Sequence, residues 1–97
     1  MAIIMIVEIK ITLKDIAMLL RKNGGDDIAN NLDKLLKVAD YNTDDFVRGA
    51  KMLLGGMGSL NDIVLSKEGV PLIEDNNKLE ALRRDLYNIC SSYKSGS

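Results

Sequence analysis

The chain has 97 residues, a formal net charge of −1, 46% hydrophobic residues and only 4% aromatic residues. This length suits one small domain with an aliphatic core. The sequence contains no His, which excludes His metal sites and Ser–His or Cys–His catalytic pairs within it. Its single cysteine, Cys90, excludes an internal disulfide and favours a reducing compartment, so we expect a cytoplasmic protein.

The N-terminal segment fits two secondary structures. Residues 1–11 alternate in a way typical of a strand, and their β-branched content favours that reading. A second pattern steps by three and four residues and continues to Lys22 without a turn residue. We therefore predict one helix to about Lys22, with a strand over residues 1–11 as the alternative. The apolar run is interrupted by Glu8 and Lys10 and is too short for a membrane span. The helical pattern consists of Ile6, Ile9, Leu13, Ile16 and Leu20.

Two further helices follow a turn at Asn23-Gly24-Gly25. We predict that Asp26 caps the second helix, which ends near Tyr41-Asn42. Asn42 or Thr43 is predicted to cap the third. Gly49, inside the third helix, lowers helix propensity by up to ~1 kcal/mol and therefore predicts a close helix crossing. The apolar stripes are Ile28, Leu32, Leu35 and Ala39 in the second helix, and Phe46, Ala50, Leu53 and Met57 in the third.

A glycine-rich segment, Gly55–Leu65, follows the third helix. Gly55 suits a helix C-terminus, and Gly56 and Gly58 favour an irregular surface loop. Ser59 and Asp62 form a weak capping-box pattern. The segment lacks the glycines of a dinucleotide fingerprint, the Lys of a P-loop and the spacing of a nucleophile elbow. We predict a structural helix stop, with anion binding by the loop N–H groups as the alternative.

The C-terminal third is predicted to form a short hairpin and a last helix. Residues 63–66 and 70–73 flank Lys67-Glu68-Gly69, which predicts a three-residue loop with a bulge, and Pro71 restricts this feature to a sheet edge. The last helix is predicted to start at residues 75–77, with Asn77 and Glu80 as a capping box. Residues 94–97 are predicted to be a loose tail. The expected fold is therefore a mainly all-α, four-helix single domain over residues 1–97, with an irregular segment or hairpin at about 63–73.

The charges are unevenly distributed along the chain. Residues 26–75 carry ten acids and five bases, a net charge of −5, whereas residues 1–25 and 76–97 carry +2 each. An acidic middle favours a basic protein partner over nucleic acid. Some of these acids also suit helix N-termini, where the dipole is positive. The adjacent pairs Asp26/Asp27 and Asp44/Asp45 point in different directions, so we predict no metal site and no cofactor.

Three segments carry a family resemblance. Leu-Leu-Arg-Lys-Asn-Gly at 19–24, Gly-Gly-Met-Gly-Ser-Leu-Asn-Asp-Ile-Val-Leu at 55–65 and Leu-x-x-Leu-Arg-x-x-Leu-Tyr ending at Tyr87 resemble a family of small bacterial proteins. That family is similar to the immunity proteins of contact-dependent inhibition and related toxin systems. The resemblance implies a non-enzymatic protein that binds a cognate toxin, such as a basic nuclease, and occludes its active site.

The predicted contact residues for such a toxin are carboxylates and loop side chains. Two alternative functions stay open: a small homo-oligomeric interaction or regulatory module, and an anion- or nucleotide-binding protein that uses the Gly55–Asp62 loop. No membrane partner is expected. The predicted partner-binding residues are Asp26, Asp33, Asp44, Asp45, Met57, Ser59, Leu60, Asn61, Asp62 and Glu68.

Overall fold

Four helices and one short hairpin make up the described part of the chain. The structure is a computed structural model that describes residues 2–55 and 63–93, with side chains over residues 4–54 and 63–93. This architecture confirms the predicted mainly all-α class. The elements are α1 (Ala2–Lys22), α2 (Asp26–Val38), α3 (Thr43–Gly55), β1 (Ser66–Lys67), β2 (Val70–Pro71) and α4 (Ile73–Ser92).

The helices form an up-and-down bundle in which α1 has the most extensive packing. It lies against α2 on one side and α4 on the other, and α3 completes the bundle by packing on α2 and α4. Ion pairs show the antiparallel order: Lys10 of α1 meets Asp40 just beyond α2, and Lys22 at the end of α1 meets Asp75 at the start of α4. The α1–α2 turn and the start of α4 therefore lie at one end of the bundle, and the α2–α3 turn lies at the other end.

The inner face of α1 confirms the helical prediction for the N-terminal segment. Ile9, Leu13 and Ile16 are fully buried, and Ile6 and Leu20 lie within the same core. Steps of three and four residues bring these side chains to one side only in a helix, which is why the helix prevails over β-branched propensity. No helix in residues 2–55 or 63–93 is both long enough and apolar enough to cross a membrane.

The turn between α1 and α2 corrects the predicted cap. Gly25, not Asp26, is the N-cap residue of α2, and the helix begins at Asp26 without a side-chain cap. The Gly25 N–H donates to the carbonyl of Leu20 at 2.7 Å. A Cβ on Gly25 would lie 3.1 Å from that oxygen and 3.2 Å from the Leu20 Cβ. The tight turn thus leaves no room for a capping side chain, and Asp26 lies in the first helical turn.

The start of α3 has a side-chain cap, as predicted. The side-chain oxygen of Asn42 accepts the backbone N–H of Asp45 at 3.1 Å, the geometry of an N-cap. The close crossing predicted at Gly49 is also confirmed. A Cβ there would lie 2.5 Å from a methyl group of Leu35, so this side chain of α2 packs against α3 where α3 has no side chain.

The hairpin is real, but its loop differs from the predicted one. Ser66 pairs with Pro71 and Lys67 with Val70, leaving a two-residue loop instead of a three-residue loop with a bulge. Both loop residues have positive φ, 54° at Glu68 and 79° at Gly69, as in a type I′ turn. The twist of this turn matches the twist of the strands, so β1 extends one residue further towards the loop than predicted and includes Lys67.

The start of α4 also differs from the prediction. The helix begins at Ile73, after the N-cap residue Leu72, and has no side-chain cap. Asn77 therefore lies inside the helix, and the predicted Asn77–Glu80 capping box is wrong. The neighbouring Asn76 instead accepts the backbone N–H of Leu65 at 2.7 Å and donates to its carbonyl at 2.8 Å. This double hydrogen bond fastens the hairpin to α4.

Candidate functional site

Three segments that are distant in sequence meet at one end of the bundle, which we call the hairpin end. It comprises the α1–α2 turn with the start of α2 (residues 23–27), the hairpin (64–72) and the start of α4 (73–76). Asp75 joins the first segment to the third, since its carboxylate accepts from the Asn23 amide at 3.2 Å and lies 3.9 Å from the Lys22 ammonium. Asn76 joins the second segment to the third.

Three large apolar side chains at the hairpin end are exposed. Leu65 is buried and Leu72 packs against the core, so the hairpin is seated on the bundle through these two side chains. Val64, Val70 and Ile73, which we call the apolar trio, instead remain 64% to 73% exposed. Large branched side chains left in water on a fastened hairpin are typical of a protein-binding surface.

The hairpin end also carries excess negative charge. Four of its carboxylates are exposed, and Asp75 is largely covered by its contacts. Glu68 lies at the tip of the hairpin loop, and Asp26 and Asp27 open α2. With Lys22 and Lys78, which adjoin these segments in sequence, the hairpin end has five acids and three lysines, a net charge of −2. The acids are Asp26, Asp27, Glu68, Glu74 and Asp75, and the bases are Lys22, Lys67 and Lys78.

The opposite end of the bundle, which we call the far end, holds two other predicted partner residues. It comprises the α2–α3 turn with the start of α3 (residues 39–45) and Tyr93. Asp44 accepts a 2.6 Å hydrogen bond from the Tyr93 hydroxyl, and this bond raises the pKa of Tyr93. Asp45 lies 3.3 Å from the Arg48 guanidinium. These carboxylates are thus engaged within the chain.

The predicted acids are consequently not gathered on one face. The 13-residue α2 separates Asp26 at its start from Asp44 beyond its end, a distance of roughly 20 Å along the bundle axis. Asp33 lies between them and pairs with Arg21, which also donates to Asn30 at 3.0 Å. The other predicted residues, Gly56, Met57, Gly58, Ser59, Leu60, Asn61 and Asp62, lie outside the described residues, so their roles stay predictions.

Sequence reasoning missed the apolar trio and Glu74. The missed signal was the length of the hairpin, because a short two-stranded ribbon seated on a bundle covers only one of its faces. Alternation places Val64 on the face opposite buried Leu65, whereas Val70 shares a face with Leu72 and is exposed beside the hairpin loop. The exposure of Ile73 and Glu74 was missed because α4 starts earlier than predicted. This start places both residues in an exposed helical turn instead of the predicted hairpin and loop.

Two observations concern the reactive groups of the described residues. Cys90 is buried in the core as predicted, and this burial raises the pKa of its thiol to about 11, which disfavours the nucleophilic thiolate. Among residues 2–55 and 63–93, no three acidic, Cys or His side chains are grouped so that they could hold a metal ion.

A family comparison covers most of the hairpin end, although not Glu74, Asp75 or Asn76. Residues 21–73 match the profile of a family described as a domain of unknown function, DUF6966. The chain belongs to the DUF6966 family. Its matched region starts at the end of α1 and finishes at the first residue of α4, so both limits lie at the hairpin end. No curated protein and no solved structure gives a significant match.

Proposed function

We propose that this chain is a cytoplasmic immunity protein that binds a basic bacterial toxin domain through its hairpin end and blocks the toxin's active site. The observation that carries the proposal is that the segments joined at the hairpin end expose both the apolar trio and several carboxylates. The resemblance of residues 19–24 and 55–65 to immunity proteins gives the biological context. No bond is made or broken in this mechanism.

The two components of the surface have different tasks in binding. Asp26, Asp27 and Glu68 attract lysines and arginines that hold the toxin's phosphate-bearing substrate, and this attraction sets the association rate. The apolar trio excludes water at the centre of the contact and slows dissociation. The hairpin end is suited to this task because Asn76 and Asp75 hold its three segments in place before the partner arrives.

The test starts from the neighbouring genes, where an upstream gene for a large secreted protein with a basic C-terminal domain would supply the toxin domain. We expect the purified full chain to bind that domain and to restore growth of cells that express it. The double variant Asp26→Lys/Asp27→Lys should weaken binding by roughly tenfold or more, mainly through a slower association rate. Val70→Ser/Ile73→Ser should instead mainly raise the dissociation rate.

A charge-matched control comes from the far end. Asp40→Lys/Asp45→Lys changes the net charge by the same amount as Asp26→Lys/Asp27→Lys, but its carboxylates lie beside Lys10 and Arg48. We expect it to bind nearly as well as the unaltered chain. If only the far-end variant lost binding, the surface would be misplaced although the function stood. A chain that neither binds nor protects against the domain would refute the immunity function.

A further inference from the structure

The outer face of α1 is apolar, although it lies away from the core. Four of its side chains are 48% to 69% exposed, and we call them the outer stripe. At 3.6 residues per turn they occupy an arc of about 60°, nearly opposite the buried face of the same helix. A helix that is apolar on both faces is normally covered on both. The outer stripe consists of Ile4, Val7, Ile11 and Met18.

We propose that the outer stripe is the interface of a parallel two-fold homodimer, in which α1 of one copy packs along α1 of a second copy. Ile4, Ile11 and Met18 recur every seven residues. Seven residues are close to two helical turns, so each side chain meets its own counterpart along the whole contact. This proposal concerns a face of α1 and does not depend on the toxin partner of the hairpin end.

The charges beside the outer stripe favour a second copy over other partners. Five charged residues are exposed beside the stripe: Arg21 pairs with Asp33, and the other four, Glu8, Lys14, Asp15 and Lys22, sum to zero. Such a surface does not repel a copy of itself, whereas the net negative hairpin end does. A helix adapted to an anionic membrane surface would instead carry mainly Lys and Arg beside its apolar face.

The same charges select the parallel arrangement. Lys14 and Asp15 lie on opposite sides of the outer stripe. A two-fold axis parallel to α1 therefore places Lys14 of one copy beside Asp15 of the second copy, twice in each dimer. An antiparallel pair centred on Ile11 would instead bring Glu8 next to Asp15 of the second copy, and these two charges repel each other.

A shallow groove between α1 and α4 extends this interface. Its volume is 570 Å³, and Met18, Leu19, Ala81 and Leu82 form its apolar floor. The groove adjoins the C-terminal part of the outer stripe through Met18, which belongs to both. Side chains of the second copy can enter it, which adds to the surface that four exposed residues alone would bury.

The first experiment measures mass against concentration for the full chain by sedimentation equilibrium. We expect the mass to rise from 10.7 kDa towards twice that value as the concentration increases. Ile11→Glu should raise the dissociation constant by roughly tenfold or more, because it places two like charges within the contact. Met52→Glu is the matched control, since Met52 is an exposed side chain on α3 and its change should have no effect.

A charge swap tests the arrangement of the two copies. Lys14→Glu and Asp15→Lys should each weaken the dimer, and the double variant Lys14→Glu/Asp15→Lys should restore it. Met18→Cys should form a disulfide-linked dimer under mild oxidation, whereas Met52→Cys should not. A mass that stays at 10.7 kDa up to 1 mM, about the upper range in which weak dimers form, overturns the proposal. It is also overturned if the double variant does not restore the dimer, or if the stripe binds lipid vesicles instead.

Discussion

The helices at the two ends of the bundle begin in different ways. Each end must begin a helix immediately after an antiparallel turn. The far end uses a side-chain cap, in which Asn42 accepts the Asp45 N–H. At the hairpin end, α2 starts from Gly25 and α4 from Leu72, and neither residue provides a side-chain cap.

At the hairpin end, the polar side chains bind other segments of the chain. Asn76 and Asp75 suit helix N-termini by residue type, yet Asn76 binds the backbone of Leu65 and Asp75 binds Asn23 and Lys22. They connect segments instead of capping a helix. The helix start at the far end is thus determined by a local cap, and the helix starts at the hairpin end are determined by tertiary contacts. Four substitutions test this contrast, from the largest expected effect to the smallest.

Asn76→Ala should have the largest effect. It removes both hydrogen bonds to Leu65 and leaves the Leu65 N–H without its acceptor, so we expect a loss of about 2 kcal/mol in the free energy of unfolding. Urea denaturation provides the measurement. Asn77→Ala is the matched control, since Asn77 is exposed within the helix and should lose less than about 0.5 kcal/mol. Equal losses in both variants would contradict the contrast.

Gly25→Asn should destabilise the protein, although Asn is a favoured N-cap residue. Its Cβ would lie 3.1 Å from the Leu20 carbonyl oxygen, and this backbone atom has little freedom to move. We expect a loss of about 1.5 kcal/mol, within the range for overpacked sites. Thermal unfolding followed by circular dichroism measures it, and a raised midpoint would show that the turn accepts a side chain.

Asn42→Ala should cost about 1 kcal/mol, the typical value of a lost N-cap. Asn42→Asp should retain most of the stability, because a carboxylate accepts the same N–H and suits the helix dipole. Chemical denaturation of the three proteins in parallel measures the difference. An Asp variant as unstable as the Ala variant would show that the cap does not stabilise the far end.

Tyr93→Phe should have the smallest effect and should depend on pH. The hydrogen bond to Asp44 raises the pKa of Tyr93 above its ordinary value of 10.0. A raised folded-state pKa contributes stability below the unfolded-state pKa, and this contribution is lost as the pH rises through the higher folded-state value. The unfolding midpoints of the two proteins should therefore differ at pH 8 and converge as the pH rises above 10. A difference independent of pH would contradict this.

Helix existence and the core could be predicted because they depend on local periodicity. Ile9 and Leu13 in α1 and Leu79 and Leu86 in α4 are buried as their spacing indicates. The cap at Asp26 was predicted wrongly because a sequence does not reveal how close the Leu20 backbone lies to Gly25. The cap at Asn77 was predicted wrongly because α4 begins earlier, at Ile73. The candidate site could be predicted only in part: Asp26 and Glu68 lie at the hairpin end, whereas the exposure of Ile73 depends on where α4 begins.

Pro71 determines how the hairpin can meet other chains. The Leu72 N–H bonds to the Leu65 carbonyl at 2.9 Å, so the intervening Ser66–Pro71 pair is the one whose backbone groups point outward from the ladder. At Pro71 the outward donor is missing. A third strand would find no donor at this position of β2, which disfavours strand addition at this edge and favours recognition by side chains.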